Sequence, residues 1–129
     1  MLHAYEASSE PALLMVARDG EAGRLLGILL EGFGFRVLEC HDQGEVRATL
    51  ERELPALALL DAGLEDARES MALIQERGEL PVLLLVGEDE GAGEPLCTAF
   101  GASAWQRLES RPDGILRALR GLLVPAEAR

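Results

Sequence analysis

The sequence of 129 residues contains no lysine and no asparagine, and all 12 of its basic residues are arginine. Any mechanism that needs a lysine amine or an asparagine side chain is therefore excluded. Only two histidines are present, His3 and His41, which disfavours a histidine-rich zinc site. The two cysteines, Cys40 and Cys97, lie far apart without the spacing of metal ligands. We expect them to be buried thiols of a protein in a reducing compartment.

Positive charge and long apolar runs are also scarce. The chain has 23 acidic residues and a net charge of −11. Such a charge repels phosphate backbones and anionic lipids, so we expect no direct binding of nucleic acid or membrane by this domain, and basic surfaces of partner proteins are favoured. The longest apolar runs, such as residues 81–86, are too short to span a bilayer. The first ten residues do not resemble a signal peptide, so we expect a cytoplasmic protein.

The residues that are present indicate one folded domain. Apolar residues make up 48% of the chain and charged residues 27%, a composition typical of a globular protein. We expect residues 1–10 to form a flexible lead-in, residues 11–124 to form the domain and residues 125–129 to form a C-terminal tail. We also expect no output domain after residue 124, which leaves open a stand-alone adaptor or one part of a longer regulator.

Apolar runs alternate with helical patterns five times along the chain. The runs do not alternate between apolar and polar residues, which indicates strands buried on both faces of a parallel sheet that helices cover on both sides. We therefore predict an α/β fold of three layers, a doubly wound (βα)5 arrangement around a flavodoxin-like sheet of five parallel strands. The predicted strands are residues 12–16, 35–38, 56–60, 82–86 and 102–108, and the predicted helices are residues 20–33, 45–54, 67–77, 95–100 and 112–123.

In open sheets of this kind, ligands bind beyond the carboxyl ends of the strands. Few polar groups follow the predicted strands, so this edge of the sheet carries most of the functional information in the sequence. The candidate positions after the first, third, fourth and fifth strands are Ala17, Arg18, Asp19, Asp61, Val86, Gly87, Leu108 and Glu109.

Five segments together resemble a known family. They are LLMVARD at residues 13–19, EGFGFRVLE at 31–39, PALALLD at 55–61, ELPVLLLVG at 79–87 and FGASAWQRLES at 100–110. In this order they are similar to the receiver domain of two-component response regulators, over about residues 11–124. The resemblance implies a three-layer receiver-like fold and a role in phosphorelay signal transduction.

The resemblance also implies a set of site residues, of which this chain keeps one. In the family, an acidic pair after the first strand and an aspartate after the third hold Mg²⁺, and that aspartate accepts a phosphoryl group from a histidine kinase. A hydroxyl residue after the fourth strand and a lysine followed by proline after the fifth complete the site. Asp61 occupies the phospho-acceptor position, whereas the other positions fall on Ala17, Arg18, Val86, Leu108 and Glu109.

These departures predict a degenerate receiver, or pseudo-receiver, that is not an enzyme, has no resident cofactor or metal site, and has lost or weakened Mg²⁺ binding. One interpretation of Arg18 is that it fills the vacated metal site and pairs with Asp61; the other is that it points to solvent while Asp61 only ends its strand. A shift of the first strand by one residue would instead place Arg18 and Asp19 at the acidic-pair positions.

Two further functions stay open at this point. The first is a working phospho-acceptor that uses Asp61 with Asp19 and a weakly held metal. The second is a flavodoxin-like module that binds a small ligand in an apolar pocket lined by Ala17, Val86 and Leu108.

A partner surface is predicted around the fifth strand and the last helix. Trp105 lies where the family carries its switch aromatic residue, and it either anchors a partner or covers the core. Arginines cluster in the same part of the sequence, and the acidic segment 88–90 offers the opposite charge for a symmetric homodimer. The expected partners are a histidine kinase, another regulator or a second copy, and the candidate arginines are Arg107, Arg111, Arg117 and Arg120.

Overall fold

The computed structural model describes residues 10–124, so the predicted C-terminal tail and nearly all of the predicted lead-in lie outside the described residues. Five strands and five α-helices alternate along the chain. The strands are β1 (Ala12–Val16), β2 (Arg36–Cys40), β3 (Leu57–Asp61), β4 (Val82–Val86) and β5 (Ala104–Arg107). The helices are α1 (Glu21–Gly32), α2 (Gln43–Arg52), α3 (Ala67–Gln75), α4 (Gly93–Phe100) and α5 (Pro112–Leu123).

All strand pairs are parallel, and the strands form one sheet in the order β2-β1-β3-β4-β5. Strand β2 therefore forms one edge of the sheet beside β1, and β3, β4 and β5 follow in order toward the other edge. The predicted flavodoxin-like fold is confirmed. The point where the strand order reverses lies between β1 and β3, and ligands of doubly wound sheets bind at the carboxyl ends of such strands.

Each face of the sheet has its own apolar core because successive side chains of a strand point to opposite faces. Leu14, Leu60 and Leu84 point to the face covered by α2, α3 and α4. Leu13 and Leu59 point to the other face, which α1 and α5 cover. Every residue of β1, β3 and β4 is buried, so these three strands fix the position of whatever follows them.

Local sequence signals explain where several helices begin and end. Asp42 caps α2, since its Oδ1 accepts a hydrogen bond of 2.8 Å from the backbone N–H of Glu45. Pro112 occupies the first turn of α5, where a missing N–H costs nothing. Gly101 ends α4 in the left-handed region with a φ of 76°, a conformation that a side chain disfavours.

Several predicted boundaries need correction. Strand β2 runs to Cys40 rather than to residue 38, and β5 covers residues 104–107 rather than 102–108. Helix α2 lies two residues earlier than predicted because Asp42 supplies its cap. The segment 87–93, predicted as a loop, contains a 3₁₀ turn at Glu88–Glu90.

The apolar pattern of α1 also needs a corrected interpretation. Its buried residues are Gly27 and Leu30, whereas Leu25, Leu29 and the following Phe33 are exposed. Gly27 faces Met15 of the sheet, and in this orientation part of the apolar stripe of α1 faces solvent. Within residues 10–124, no helix is both long and apolar enough to cross a bilayer.

Candidate functional site

Asp61 ends β3 with its side chain only 3% exposed. The guanidinium of Arg18 contacts both carboxylate oxygens, with Nε 2.9 Å from Oδ2 and Nη2 3.3 Å from Oδ1. The backbone N–H of Gly63 donates a further hydrogen bond of 2.9 Å to Oδ1. The predicted pair between Arg18 and Asp61 is therefore present, in a two-pronged geometry that suits a planar guanidinium.

The register of the sheet explains why Arg18 reaches this carboxylate. Val16 ends β1 opposite Leu60, so the residues that follow β1 come beside Asp61. Ala17 is buried, and Arg18 is the first residue after β1 with an exposed side chain. The structure places Arg18 against Asp61, whereas Asp19 faces His41.

Two residues that lie against the Arg18–Asp61 pair, Gly63 and Glu90, were not predicted from the sequence as parts of the site. Gly63 leaves the space that the guanidinium fills, because a Cβ at this position would overlap Nη2 of Arg18. Glu90, in the 3₁₀ turn, lies with Oε2 3.8 Å from Nη2 of Arg18, and its other oxygen accepts a hydrogen bond from the N–H of Gly87. Arg18 thus links the end of β3 to the turn after β4.

The residues around Asp61 do not fit a magnesium ion, which prefers a cluster of oxygen ligands. Arg18 places positive charge against the buried carboxylate of Asp61. Asp19 is 77% exposed at its side chain and faces Nε2 of His41 at 3.8 Å. Among residues 10–124, no three His, Cys, Asp or Glu side chains are grouped to hold a metal ion.

The loop after β4 is held by β5. Nη1 of Arg107 donates hydrogen bonds to the carbonyls of Gly87, at 3.2 Å, and Gly91, at 3.0 Å. The same guanidinium lies 5.3 Å from the ring of Trp105, and Nε1 of Trp105 donates a hydrogen bond of 3.0 Å to Glu94. We call this set of contacts, from Arg107 and Trp105 to the 87–94 segment, the loop clamp.

The loop clamp changes the interpretation of the predicted partner surface. Arg107 binds the loop that holds the acidic segment 88–90 of its own chain rather than standing free for a second copy. Arg120 lies on α5 and faces the carbonyl of Phe33 at 3.5 Å, and Arg111 and Arg117 are exposed. The structure therefore brings Trp105 and Arg107 together and turns Arg120 toward the end of α1.

A cavity of about 540 Å³ opens between α1 and α5 and reaches Asp61. Of the predicted pocket positions, Ala17, Arg18, Asp19 and Leu108 line it. Val86 is instead fully buried in the core on the opposite face of the sheet, so the prediction that it lines this pocket is wrong. Glu109 is exposed beside Arg107 and Glu88, away from the cavity.

His41 follows β2 and lies beside Ala17, and it was not among the predicted site residues. Its Nδ1 lies 2.9 Å from the carbonyl of Ala17, and its Nε2 lies 3.3 Å from Glu39. The hydrogen bond to Ala17 raises the pKa of His41 above its ordinary value, and the nearby carboxylates of Asp19, Glu39 and Glu45 act in the same direction. The candidate positions were taken after the first, third, fourth and fifth strands, and including the residues after β2 would have identified His41.

The structure is similar to solved receiver domains. A CheY-like response regulator receiver domain protein from Methanospirillum hungatei matches with 24% identity and a TM-score of 0.76, over 89% of this chain and 94% of that one. A response regulator receiver protein from Burkholderia phymatum matches with 22% identity and a TM-score of 0.75, over 88% and 94%. The receiver domain of a sensor histidine kinase from Pseudomonas aeruginosa, solved with magnesium in its active-site cleft, matches with 16% identity and a TM-score of 0.74, over 89% and 98%.

At these identities the similarity shows that the chain has the receiver fold. No protein-family model matches the sequence, and no curated protein matches it. The chemistry of the site therefore has to be argued from the residues themselves.

Proposed function

We propose that this chain is a degenerate receiver domain that works in two-component signalling by protein–protein contact, without magnesium-dependent phosphorylation of Asp61. The observation that carries the proposal is the contact of Arg18 with both oxygens of Asp61. A receiver aspartate must present one free oxygen to the incoming phosphorus atom. Here the guanidinium and the N–H of Gly63 occupy the carboxylate.

The residues at the ends of β4 and β5 support the same proposal. Phosphoryl transfer depends on positioning and on neutralising the charge of the equatorial oxygens. Val86 is buried and supplies no hydroxyl, and Leu108 supplies no charge. Arg18 supplies the positive charge beside the carboxylate, and it also lies near Glu90. A phosphoryl group on Asp61 would have to displace it from both acids.

The proposed partner is a histidine kinase or another regulator that offers a basic surface to a chain with a net charge of −11. In this proposal the domain is a signalling module rather than an enzyme, and it works in the reducing cytoplasm. Free buried cysteines fit that setting: burial raises the pKa of both Cys40 and Cys97, which keeps the thiols protonated and unreactive.

A working phospho-acceptor is the rival that one experiment separates from this proposal. The purified protein is incubated with acetyl phosphate and Mg²⁺, and its intact mass is measured. We expect no phosphoryl adduct in the wild type. An adduct that disappears in the Asp61→Asn variant would show that Asp61 still accepts phosphoryl groups, and the proposal would be wrong.

A further inference from the structure

We propose that the cavity between α1 and α5 binds a small organic cation, a molecule with an apolar body and one positively charged head. The proposal rests on the cavity and on the charges of its lining, and it does not need Asp61 to be phosphorylated or unphosphorylated in signalling, so its test is separate from that of the proposed function. The volume of about 540 Å³ lies within the range of pockets that hold small molecules.

The cavity reaches into the core rather than lying on a flat helix face. Its floor includes Leu85 and Ile115, which are 1% and 2% exposed. Its walls include Leu25, Leu26 and Leu29 of α1. Leu25 and Leu29 remain 55% and 43% exposed, so a bound apolar body would remove from water the leucine surface that folding leaves exposed.

The charges around the cavity determine which charge on a ligand's head group is favoured. Arg18 is the one basic residue of the lining, and Asp61 already neutralises it. Two further carboxylates, those of Asp19 and Glu21, lie in the lining on exposed residues. The lining therefore carries net negative charge on a strongly acidic protein, which favours a cationic head over an anionic one of the same size.

The test uses three probes that share one alkyl chain and differ only in charge: octylamine, octanol and octanoate. Binding is followed by the methyl NMR signals of Ile115 and Leu26, at probe concentrations below micelle formation. We expect saturable shifts with octylamine and an affinity roughly tenfold higher than that of octanoate, since the exposed carboxylates of the lining attract the ammonium head and repel the carboxylate head. The affinity for octanol should lie between those for octylamine and octanoate.

A matched pair of variants on one helix locates the binding. Leu29→Gln changes a residue that lines the cavity, whereas Ile28→Gln changes its neighbour, which is 63% exposed and lies outside the lining. Both positions are exposed enough for the variants to fold. We expect Leu29→Gln to weaken all three probes severalfold and Ile28→Gln to leave them unchanged. Glu21→Gln should reduce the preference for octylamine over octanoate and leave octanol unaffected.

Three results would overturn the proposal. Linear, non-saturating shifts with every probe would show that the cavity holds no ligand of this kind. Tighter binding of octanoate than of octylamine would contradict the assigned charge. Equal effects of Leu29→Gln and Ile28→Gln would place the binding elsewhere on the protein.

Discussion

The two sides of Asp61 are built in different ways. Toward β4 and β5, the loop clamp ties the 87–94 segment down through Arg107 and Trp105. Toward α1 and α5, a cavity remains and the leucines of α1 stay partly exposed. On the clamped side Arg107 and Trp105 already use their polar groups within the chain, whereas the leucines of α1 on the open side keep apolar surface that an incoming molecule could cover.

Arg18 stands at the boundary between these two sides. It lines the cavity, pairs with Asp61 and lies near Glu90 of the turn after β4. In this chain a side chain, rather than an ion that can leave, carries the positive charge beside Asp61. We expect this to favour one arrangement of the site over an exchange between two.

We expect the largest change in the free energy of unfolding from a substitution that disrupts the packing of Trp105 in the loop clamp. A Cβ at Gly93 would overlap the ring of Trp105, which leaves no room for a side chain. We expect Gly93→Ala to lower the free energy of unfolding by about 1–3 kcal/mol through overpacking. Gly121→Ala is the matched control, because a Cβ there meets no atom within 4 Å, and it should stabilise α5 by about 0.5–1 kcal/mol.

Denaturant unfolding of both glycine variants measures this contrast. If Gly93→Ala were as stable as the wild type, Trp105 would not be packed on α4 and the clamped side would be looser than described.

We expect a smaller change in the free energy of unfolding when Arg18, between the two sides, is replaced. Arg18→Ala leaves the buried carboxylate of Asp61 with the N–H of Gly63 but without its guanidinium. We expect a loss of about 1–2 kcal/mol in the free energy of unfolding, because an ionised group in a buried position loses a charged partner that is itself half exposed.

The control for that variant is Arg24→Ala, an exposed arginine on α1, which should change stability by less than about 0.5 kcal/mol. Chemical denaturation gives both values. Equal stability of the two alanine variants would mean that the Arg18–Asp61 pair contributes nothing to the fold.

The last and smallest change in stability concerns the pH dependence contributed by His41, which contacts the carbonyl of Ala17. The hydrogen bond to Ala17 raises the pKa of His41 in the folded state, so the protonated ring stabilises the fold. This contribution is complete below the pKa of the unfolded chain and disappears as the pH rises through the folded-state pKa. We expect His41→Gln to cost less than about 1 kcal/mol at acidic pH and nothing at alkaline pH.

An NMR titration of the His41 ring checks the direction of that shift. A pKa below the ordinary histidine value would contradict the contacts with Ala17 and Glu39, and the pH dependence of stability would then have the opposite sign.

Much of this architecture could be predicted from local patterns. The apolar runs gave β1 and β4 with their observed bounds, and Pro112 marked the start of α5. The pairing of Arg18 with Asp61 was one of two interpretations that the sequence left open, since Arg18 follows β1 and Asp61 ends the neighbouring parallel strand β3.

The open side could not be predicted in the same way. Helical spacing shows that α1 has an apolar stripe, but it does not show that Gly27 and Leu30 face the sheet while Leu25 and Leu29 do not. That choice depends on how closely the helix packs on β1. The loop clamp was missed for a related reason, since a bond from Arg107 to loop carbonyls depends on a backbone path that composition does not specify.

We propose that Arg18 takes the place of a metal ion beside Asp61. The most direct test follows the amide NMR signal of Gly63, which donates to Asp61, while Mg²⁺ and then beryllofluoride are added. We predict no saturable shift in the wild type and a Mg²⁺-dependent shift in Arg18→Asp, where a second carboxylate replaces the guanidinium. A saturable shift in the wild type that is lost in Asp61→Asn would contradict the claim.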